Sequence, residues 1–178
     1  MPETLSINRL HQHRIWSNHR LLAAVQELSA EQLRQRFEIG QGSIWKTLTH
    51  LYAAEYVWLA ALKGDVTPLT PGDQQGKLPG NQEGDNPIQT LSELEQRWRL
   101  LDKEWQGYLD ALKDADLNRP INKVSSLSGQ RSSTKCVDIL LHVCTHAQYT
   151  TSQLINMLRQ VGHTELPDVM LITMARTS

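Results

Sequence analysis

The chain has 178 residues, with 18 Lys and Arg against 19 Asp and Glu, so its formal net charge is -1. This length predicts one domain over residues 1–178, because domains most often run to about 100–200 residues. The balanced charge gives no electrostatic reason to expect nucleic acid or an anionic membrane as a partner. No apolar run approaches the roughly 20 residues of a spanning helix, and the N-terminal sequence does not resemble a secretory signal. We therefore expect a cytoplasmic protein.

The first half of the chain contains two amphipathic helical patterns. The first pattern covers residues 4–28, and the second covers residues 43–63. Ser43 is suited to cap the second helix, because its hydroxyl can accept a hydrogen bond from a free backbone donor of the first turn. Gly64 is suited to end it.

Residues 64–90 break every periodicity and hold half of the chain's glycines. A connection of this length is either a functional lid or a mobile surface segment, and the sequence leaves both open. The third helical pattern covers residues 90–113 and the fourth covers residues 135–160. Between them, the polar segment 118–134 is compatible with a small irregular hairpin.

Four long amphipathic helices predict an all-α fold, because each must bury its apolar stripe against the others. The expected architecture is a four-helix bundle with a long loop after the second helix. A small hairpin is expected before the fourth. The apolar tail after the fourth helix, residues 166–174, is expected to dock as a short helix.

Two of the seven histidines, His142 and His146, are four residues apart in the fourth helix. This spacing places them one turn apart on one side of the helix, where two imidazoles can share a metal ion. Imidazole is a preferred ligand of zinc, nickel and iron. The spacing alone is also compatible with two histidines that contact water or neighbouring side chains.

His50 lies beside the apolar stripe of the second helix, on a flank of small residues that would let another helix approach. A single histidine in such a place commonly bonds a carbonyl. Three histidines from two helices would instead provide three protein ligands and leave coordination positions open, as in catalytic metal sites. A metal there would activate a bound water or thiol.

Three segments of the chain resemble the DinB superfamily, the DinB/YfiT-like metalloenzymes. The segments are residues 16–22, residues 43–59 with His50, and residues 141–162 with His142 and His146. The resemblance implies a four-helix bundle with a divalent metal held by one histidine of the second helix and two of the fourth. It also implies a homodimer, a small-molecule substrate, and either hydrolysis or a transferase reaction that uses a low-molecular-weight thiol.

The chain departs from the family pattern at one position. Members often carry His-Arg-Gly-Gln where this chain has Thr150-Thr-Ser-Gln153. If that histidine is a family ligand, Thr150 replaces it, and a threonine hydroxyl is a poor ligand for these metals. The metal site is then weakened, completed by His142, or lost.

Further candidates for the pocket around the metal come from helical position. They are His11 and Asn18 in the first helix, Glu55 in the second, and Tyr149, Thr150 and Gln153 in the fourth. Glu55 is suited either to orient a ligating histidine or to bond a buried Trp or Tyr. Two functional hypotheses follow: a metal-dependent enzyme, and a non-catalytic helical dimer or stress-related binding protein that has weakened or lost the metal.

Overall fold

The structure is a computed structural model that describes residues 3–177. Its helices are α1 (Glu3–Val25), α2 (Ala30–Arg34), α3 (Ile44–Leu62), α4 (Leu91–Ala111), α5 (Cys136–Gln160) and α6 (Leu171–Thr177), with a 3-10 turn at Asp114–Asp116. Two strands, β1 (Pro120–Val124) and β2 (Arg131–Lys135), form an antiparallel hairpin. The expected all-α bundle is confirmed: the four long helices are α1, α3, α4 and α5.

The helix starts follow from capping residues in the sequence. The Ser43 hydroxyl accepts a hydrogen bond from the backbone N–H of Lys46 at 3.1 Å, as predicted. Ser29 and Gln32 form a capping box, which satisfies two free donors at the start of a helix. The capping box begins a separate helix α2, and α1 ends at Val25 instead of continuing to residue 28.

The core lies along α5, which packs against α1 and α3, while α4 packs against the other sides of these two helices. Trp98 and Trp105 of α4 are both at most 1% exposed and fill the centre of the bundle. Their large apolar area makes them major contributors to stability, because buried aromatic side chains dominate core energetics. No helix among residues 3–177 has the length and apolar character needed to cross a membrane.

The connection after α3 is ordered by backbone hydrogen bonds to the hairpin. The Val124 N–H donates to the Val66 carbonyl at 2.7 Å, and the Gly76 N–H donates to the Ser126 carbonyl at 2.8 Å. The hairpin itself pairs Pro120 with Lys135 and continues to Val124 with Arg131, so the hairpin predicted within residues 118–134 is present. The first part of the long loop is therefore fixed beside the turn end of the hairpin.

Candidate metal centre

His50 of α3 is held in one orientation by the long loop. Its Nδ1 lies 2.8 Å from the Pro79 carbonyl oxygen. Since a carbonyl can only accept, Nδ1 carries the proton and donates it to Pro79. The Nε2 of the neutral ring then has a free electron pair, because which ring nitrogen is protonated is set by the hydrogen bond the other makes.

His146 of α5 faces His50 across the α3–α5 interface. Their Nε2 atoms are 3.3 Å apart, and the two rings meet edge to face with centroids 5.3 Å apart. Two imidazole nitrogens bound to one tetrahedral zinc at about 2.0–2.1 Å are separated by about 3.3–3.4 Å. The pair therefore fits two ligand positions of a divalent metal.

The electrostatics favour neutral imidazoles at this interface. Burial, together with His50 and His142, lowers the pKa of His146 to about 4. Burial also lowers the pKa of His142. Neutral His is the form that binds metal, so burial favours the metal-binding form of His146 and His142.

His142, the third predicted ligand, lies at the exposed edge of the pair. Its ring centroid is 5.8 Å from that of His146 and 5.5 Å from that of Trp58, which it meets edge to face. Trp58 also contacts Lys123 of β1, whose ammonium lies 5.0 Å from the centroid of the Trp58 ring. Within residues 3–177, no three or more His, Cys, Asp or Glu side chains are grouped closely enough to hold a metal ion. The described geometry is thus a facing pair with a third imidazole beside it.

The loop residues Gly80 and Asp73 determine how closely the loop approaches His50. A Cβ at Gly80 would lie 2.4 Å from the backbone N of His50, and Gly80 has a φ of +85°. The buried carboxylate of Asp73 accepts from the Gly80 N–H at 2.7 Å and from the Gln82 N–H at 2.9 Å. Sequence reasoning missed these residues. Gly80 is one of five glycines in residues 64–90, and nothing in the sequence distinguishes it from the other four.

The other candidates on α5 lie at different distances from solvent. Thr150 is 2% exposed, whereas Tyr149 is 68% exposed. Gln153 is half-buried, near Gly40, in the region where the α2–α3 loop meets α5. Tyr149 is thus mainly solvated, and Thr150 is enclosed one turn beyond His146.

The structure places Glu55, Asn18 and His11 away from the histidine pair. Glu55, 1% exposed, accepts hydrogen bonds from the Arg14 guanidinium, from Asn18 Nδ2 at 2.7 Å and from Trp98 Nε1 at 3.0 Å. Of the two roles open to Glu55, the bond to a buried Trp is therefore the one observed. His11 donates from Nε2 to the Leu140 carbonyl at 3.2 Å and packs against Trp105.

Comparisons with known proteins agree with this architecture. The sequence profile of the DinB family matches residues 1–177. Protein DinB of Bacillus subtilis (strain 168) is 24% identical over 159 residues, which cover 89% of this chain and 88% of that protein.

Two solved structures share the fold. A DinB-like protein from Bacillus cereus superposes with a TM-score of 0.62 at 15% identity, over 90% of this chain and 95% of that one. YfiT from Bacillus subtilis, described as a probable metal-dependent hydrolase with an unusual four-helix bundle topology, gives 0.64 at 14% identity over 89% of each chain. With a family profile that matches over almost its whole length, this chain belongs to the DinB family.

Proposed function

We propose that the chain is a metal-dependent hydrolase whose divalent ion is held between α3 and α5 by His50 and His146, with His142 as the third protein ligand. The observation that carries the proposal is the 3.3 Å separation of the two facing Nε2 atoms. The structural neighbour YfiT, described as a probable metal-dependent hydrolase, supports the same reaction class.

The residues around His50 and His146 favour the forms of the two rings that bind a metal ion. Pro79 fixes the protonation of His50, so the ring presents an electron pair to its partner. Burial keeps His146 neutral. A bound divalent metal would supply a water or thiol of lowered pKa, so a low-molecular-weight thiol is a further candidate cofactor. Lys123, beside Trp58, places a positive charge near the open side, where it would attract an anionic group of a small substrate.

A second candidate function is a metal-free binding protein that retains the bundle. It is favoured by Thr150, which is enclosed at the position where family members often carry a histidine, and by the lack of a closely grouped set of three ligands within residues 3–177. Both candidates are compatible with a homodimer.

Metal titration separates the two candidates. Protein purified without an affinity tag is incubated with zinc, nickel or ferrous iron in turn, desalted, and assayed by mass spectrometry for metal. We expect about one equivalent per chain for at least one ion. The double variant His50→Ala, His146→Ala should retain less than about a tenth of an equivalent with an unchanged circular dichroism spectrum.

His19→Ala is the matched control, because the His19 side chain is half exposed and bonds Asp102 instead of the pair. It should bind metal as the wild type does. If the wild type takes up less than about a tenth of an equivalent of each ion, the metal-free function is correct. Metal-loaded wild type is then assayed for hydrolysis of esters and amides and for thiol conjugation, which separates hydrolase from transferase.

A further inference from the structure

The segment around the β1–β2 hairpin carries positive charges only. Residues 117–137 contain two Arg and two Lys but no Asp or Glu, whereas the whole chain has a formal net charge of -1. The hairpin packs through β1 against α3, the helix that carries His50 and Trp58. An excess of positive charge therefore lies beside a helix that contributes to the candidate metal centre.

The alternation of side chains along the strands directs one of these charges towards α3. Residues i and i+2 of a strand share a face, so Lys123 lies on the same face as Ile121, which is buried in the core. Arg131 and Lys135 pair with β1 residues one and three positions away from Lys123. Because cross-strand partners share a face, these two cations lie on the opposite face of the hairpin.

The ammonium group of Lys123 is not paired with a carboxylate. Lys63 and Lys77 each form an ion pair with a glutamate, but within residues 3–177 no ion pair includes Lys123. Its side chain is half-buried, and this burial lowers the pKa of Lys123. A cation that is partly withdrawn from water is stabilised by a nearby anion, so this group favours an anionic ligand.

Trp58 connects Lys123 to the candidate metal centre. The Lys123 Nζ lies 5.0 Å from the centroid of the Trp58 ring. His142 meets the same indole edge to face, with the ring centroids 5.5 Å apart. His142 is exposed and Lys123 is half-buried, so solvent reaches both residues. A single indole therefore separates an unpaired cation from the exposed imidazole of the centre.

We propose that Lys123 is a specificity-determining residue of the candidate metal centre, and that the site takes small esters or amides with a carboxylate at their far end. The Lys123 ammonium binds the carboxylate, and the reacting carbonyl lies on the histidine side of Trp58. The inference rests on the proposed function, because it names the substrate class of the same site.

The charges of the hairpin favour a carboxylate over a phosphate group. Lys123 is the one cation on the α3 side of the strands, and the nearby Arg119 is bound elsewhere, since its Nη2 donates to the Leu62 carbonyl at 3.2 Å. One cation balances the single charge of a carboxylate, whereas a phosphate ester carries about -1.5 to -2 at pH 7. Trp58 adds an apolar surface between the two ends, so a short hydrocarbon chain suits the linking segment.

Two probes of equal length test the preference for a carboxylate. Monomethyl adipate and dimethyl adipate differ by one negative charge, and their chain is long enough to cross an indole. Each is titrated into metal-free protein, and binding is measured from the NMR shift of the Trp58 indole N–H, identified as the signal absent from Trp58→Phe. The half-ester should bind at least about fivefold more tightly than the diester. Equal Kd values, or no saturable shift with the half-ester, overturn the proposal.

Three variants of the hairpin locate the carboxylate. Lys123→Gln should bind the two probes with equal Kd, whereas Lys123→Arg retains the charge and should keep the preference for the half-ester. Lys135→Gln is the matched control, because it removes the same charge from the opposite face of the hairpin, and it should also keep the preference. A preference that survives Lys123→Gln, or that is lost equally in Lys135→Gln, overturns the assignment to Lys123.

The histidine pair provides the last control. The metal-free double variant His50→Ala, His146→Ala should keep the preference, because the charge that sets it lies on Lys123. Loss of the preference there would place the carboxylate at the histidines and overturn the proposal. Zinc-loaded wild type is then assayed for hydrolysis of both probes, and the half-ester should have the lower KM. Absence of hydrolysis with an intact preference would contradict the proposed hydrolase function alone, so the two failures are distinguishable.

Discussion

Two polar clusters lie inside this bundle, and they differ in how their charges and electron pairs are satisfied. Around Glu55, one buried carboxylate accepts from Arg14, Asn18 and Trp98, so negative charge meets donors from α1 and α4. Around His50 and His146, two imidazole rings bring their Nε2 atoms within 3.3 Å, and no carboxylate is among the contacts described for either ring. The Glu55 cluster pairs opposite groups, whereas the histidine pair brings like groups together.

This difference indicates separate roles. A buried carboxylate with three donors links three helices, and its loss leaves an unpaired charge in the core. At most one proton can lie between the two facing imidazoles, so one N–H···N hydrogen bond is all that the rings can form with each other. Their arrangement becomes favourable when a cation accepts both electron pairs. We therefore expect mutations in the Glu55 cluster to change stability and mutations in the histidine pair to change metal binding.

The largest expected effect is that of Glu55→Ala. It leaves the Arg14 guanidinium buried without its charged partner, which should cost about 3–5 kcal/mol of unfolding free energy. Urea denaturation followed by circular dichroism measures the change. Glu104→Ala is the matched control, because its ion pair with Lys63 is about half exposed on both sides, and it should cost less than about 1 kcal/mol. Equal losses in the two variants would contradict the structural role of Glu55.

The second prediction concerns the loop that orients His50. Gly80→Ala introduces a Cβ 2.4 Å from the His50 backbone, so the loop must move away from the ring. Gly76→Ala is the control: its φ of +82° is similar, but a Cβ there meets nothing within 4 Å. We expect Gly80→Ala to cost about 1–3 kcal/mol more than Gly76→Ala.

Metal binding extends the same test. Gly80→Ala should retain less zinc, nickel or iron than Gly76→Ala after desalting, because Pro79 no longer sets the orientation of His50. Similar stability and similar metal content in the two variants would show that the close approach of the loop is unimportant.

The third prediction is a pH dependence due to His11. Its burial, with a further contribution from Arg14, lowers its pKa to about 3. Between about pH 6.5 and pH 3, His11 is protonated in the unfolded chain and neutral in the folded chain. The free energy of unfolding is therefore unaffected by His11 above about pH 6.5 and decreases as the pH falls below it. From these values the loss between pH 7.5 and pH 5 is about 2 kcal/mol.

His11→Gln removes this contribution and retains a side-chain donor. Urea denaturation at the two pH values should show a smaller loss in the variant than in the wild type, by about 2 kcal/mol. The comparison between the two proteins cancels the contributions of the other histidines. An equal pH dependence in both would mean that His11 binds its proton in the folded state.

The smallest expected effect belongs to the pair of His19 and Asp102 at the edge of the Glu55 cluster. The hydrogen bond to Asp102, 2.9 Å long, raises the pKa of His19. The stabilisation is therefore present below about pH 6.5 and is lost as the pH rises through the folded-state pKa. Since the His19 side chain is 53% exposed, His19→Gln should cost less than about 1 kcal/mol at pH 5.5 and nothing at pH 9. A larger loss of unfolding free energy at pH 9 than at pH 5.5 would show that protonated His19 does not stabilise the fold.

Much of the fold was predictable because it depends on local patterns. Ser43 caps α3 as its side chain predicts, and the four apolar stripes define the helices that pack together. The end of α1 at Val25, three residues before the predicted end, was not predicted, because the apolar pattern continues through Leu28. Residues 166–174 were expected as one short helix, whereas α6 begins at Leu171.

The candidate site was predictable in its residues and not in its contacts. Helical spacing and the family resemblance singled out His50, His142 and His146, and the structure brings the Nε2 atoms of His50 and His146 within 3.3 Å of each other. The partner of His50 comes from Pro79, 29 residues further along an irregular loop, so no periodicity could reveal it. His11 and Glu55 share helix faces with apolar residues in the sequence, but their partners lie on other helices.

The sequence by itself determined the class of fold, the four amphipathic helices and the histidines suited to metal, because these follow from the period of the helix and from side-chain chemistry. Tertiary structure alone decided which polar residues meet. Glu55 of α3 meets Arg14 of α1 across the core of the bundle, and packing of α3 against α5 directs His50 to His146. Such contacts depend on the rotation and depth of each helix in the bundle, and distances between separate helices are not encoded in the local pattern of any one of them.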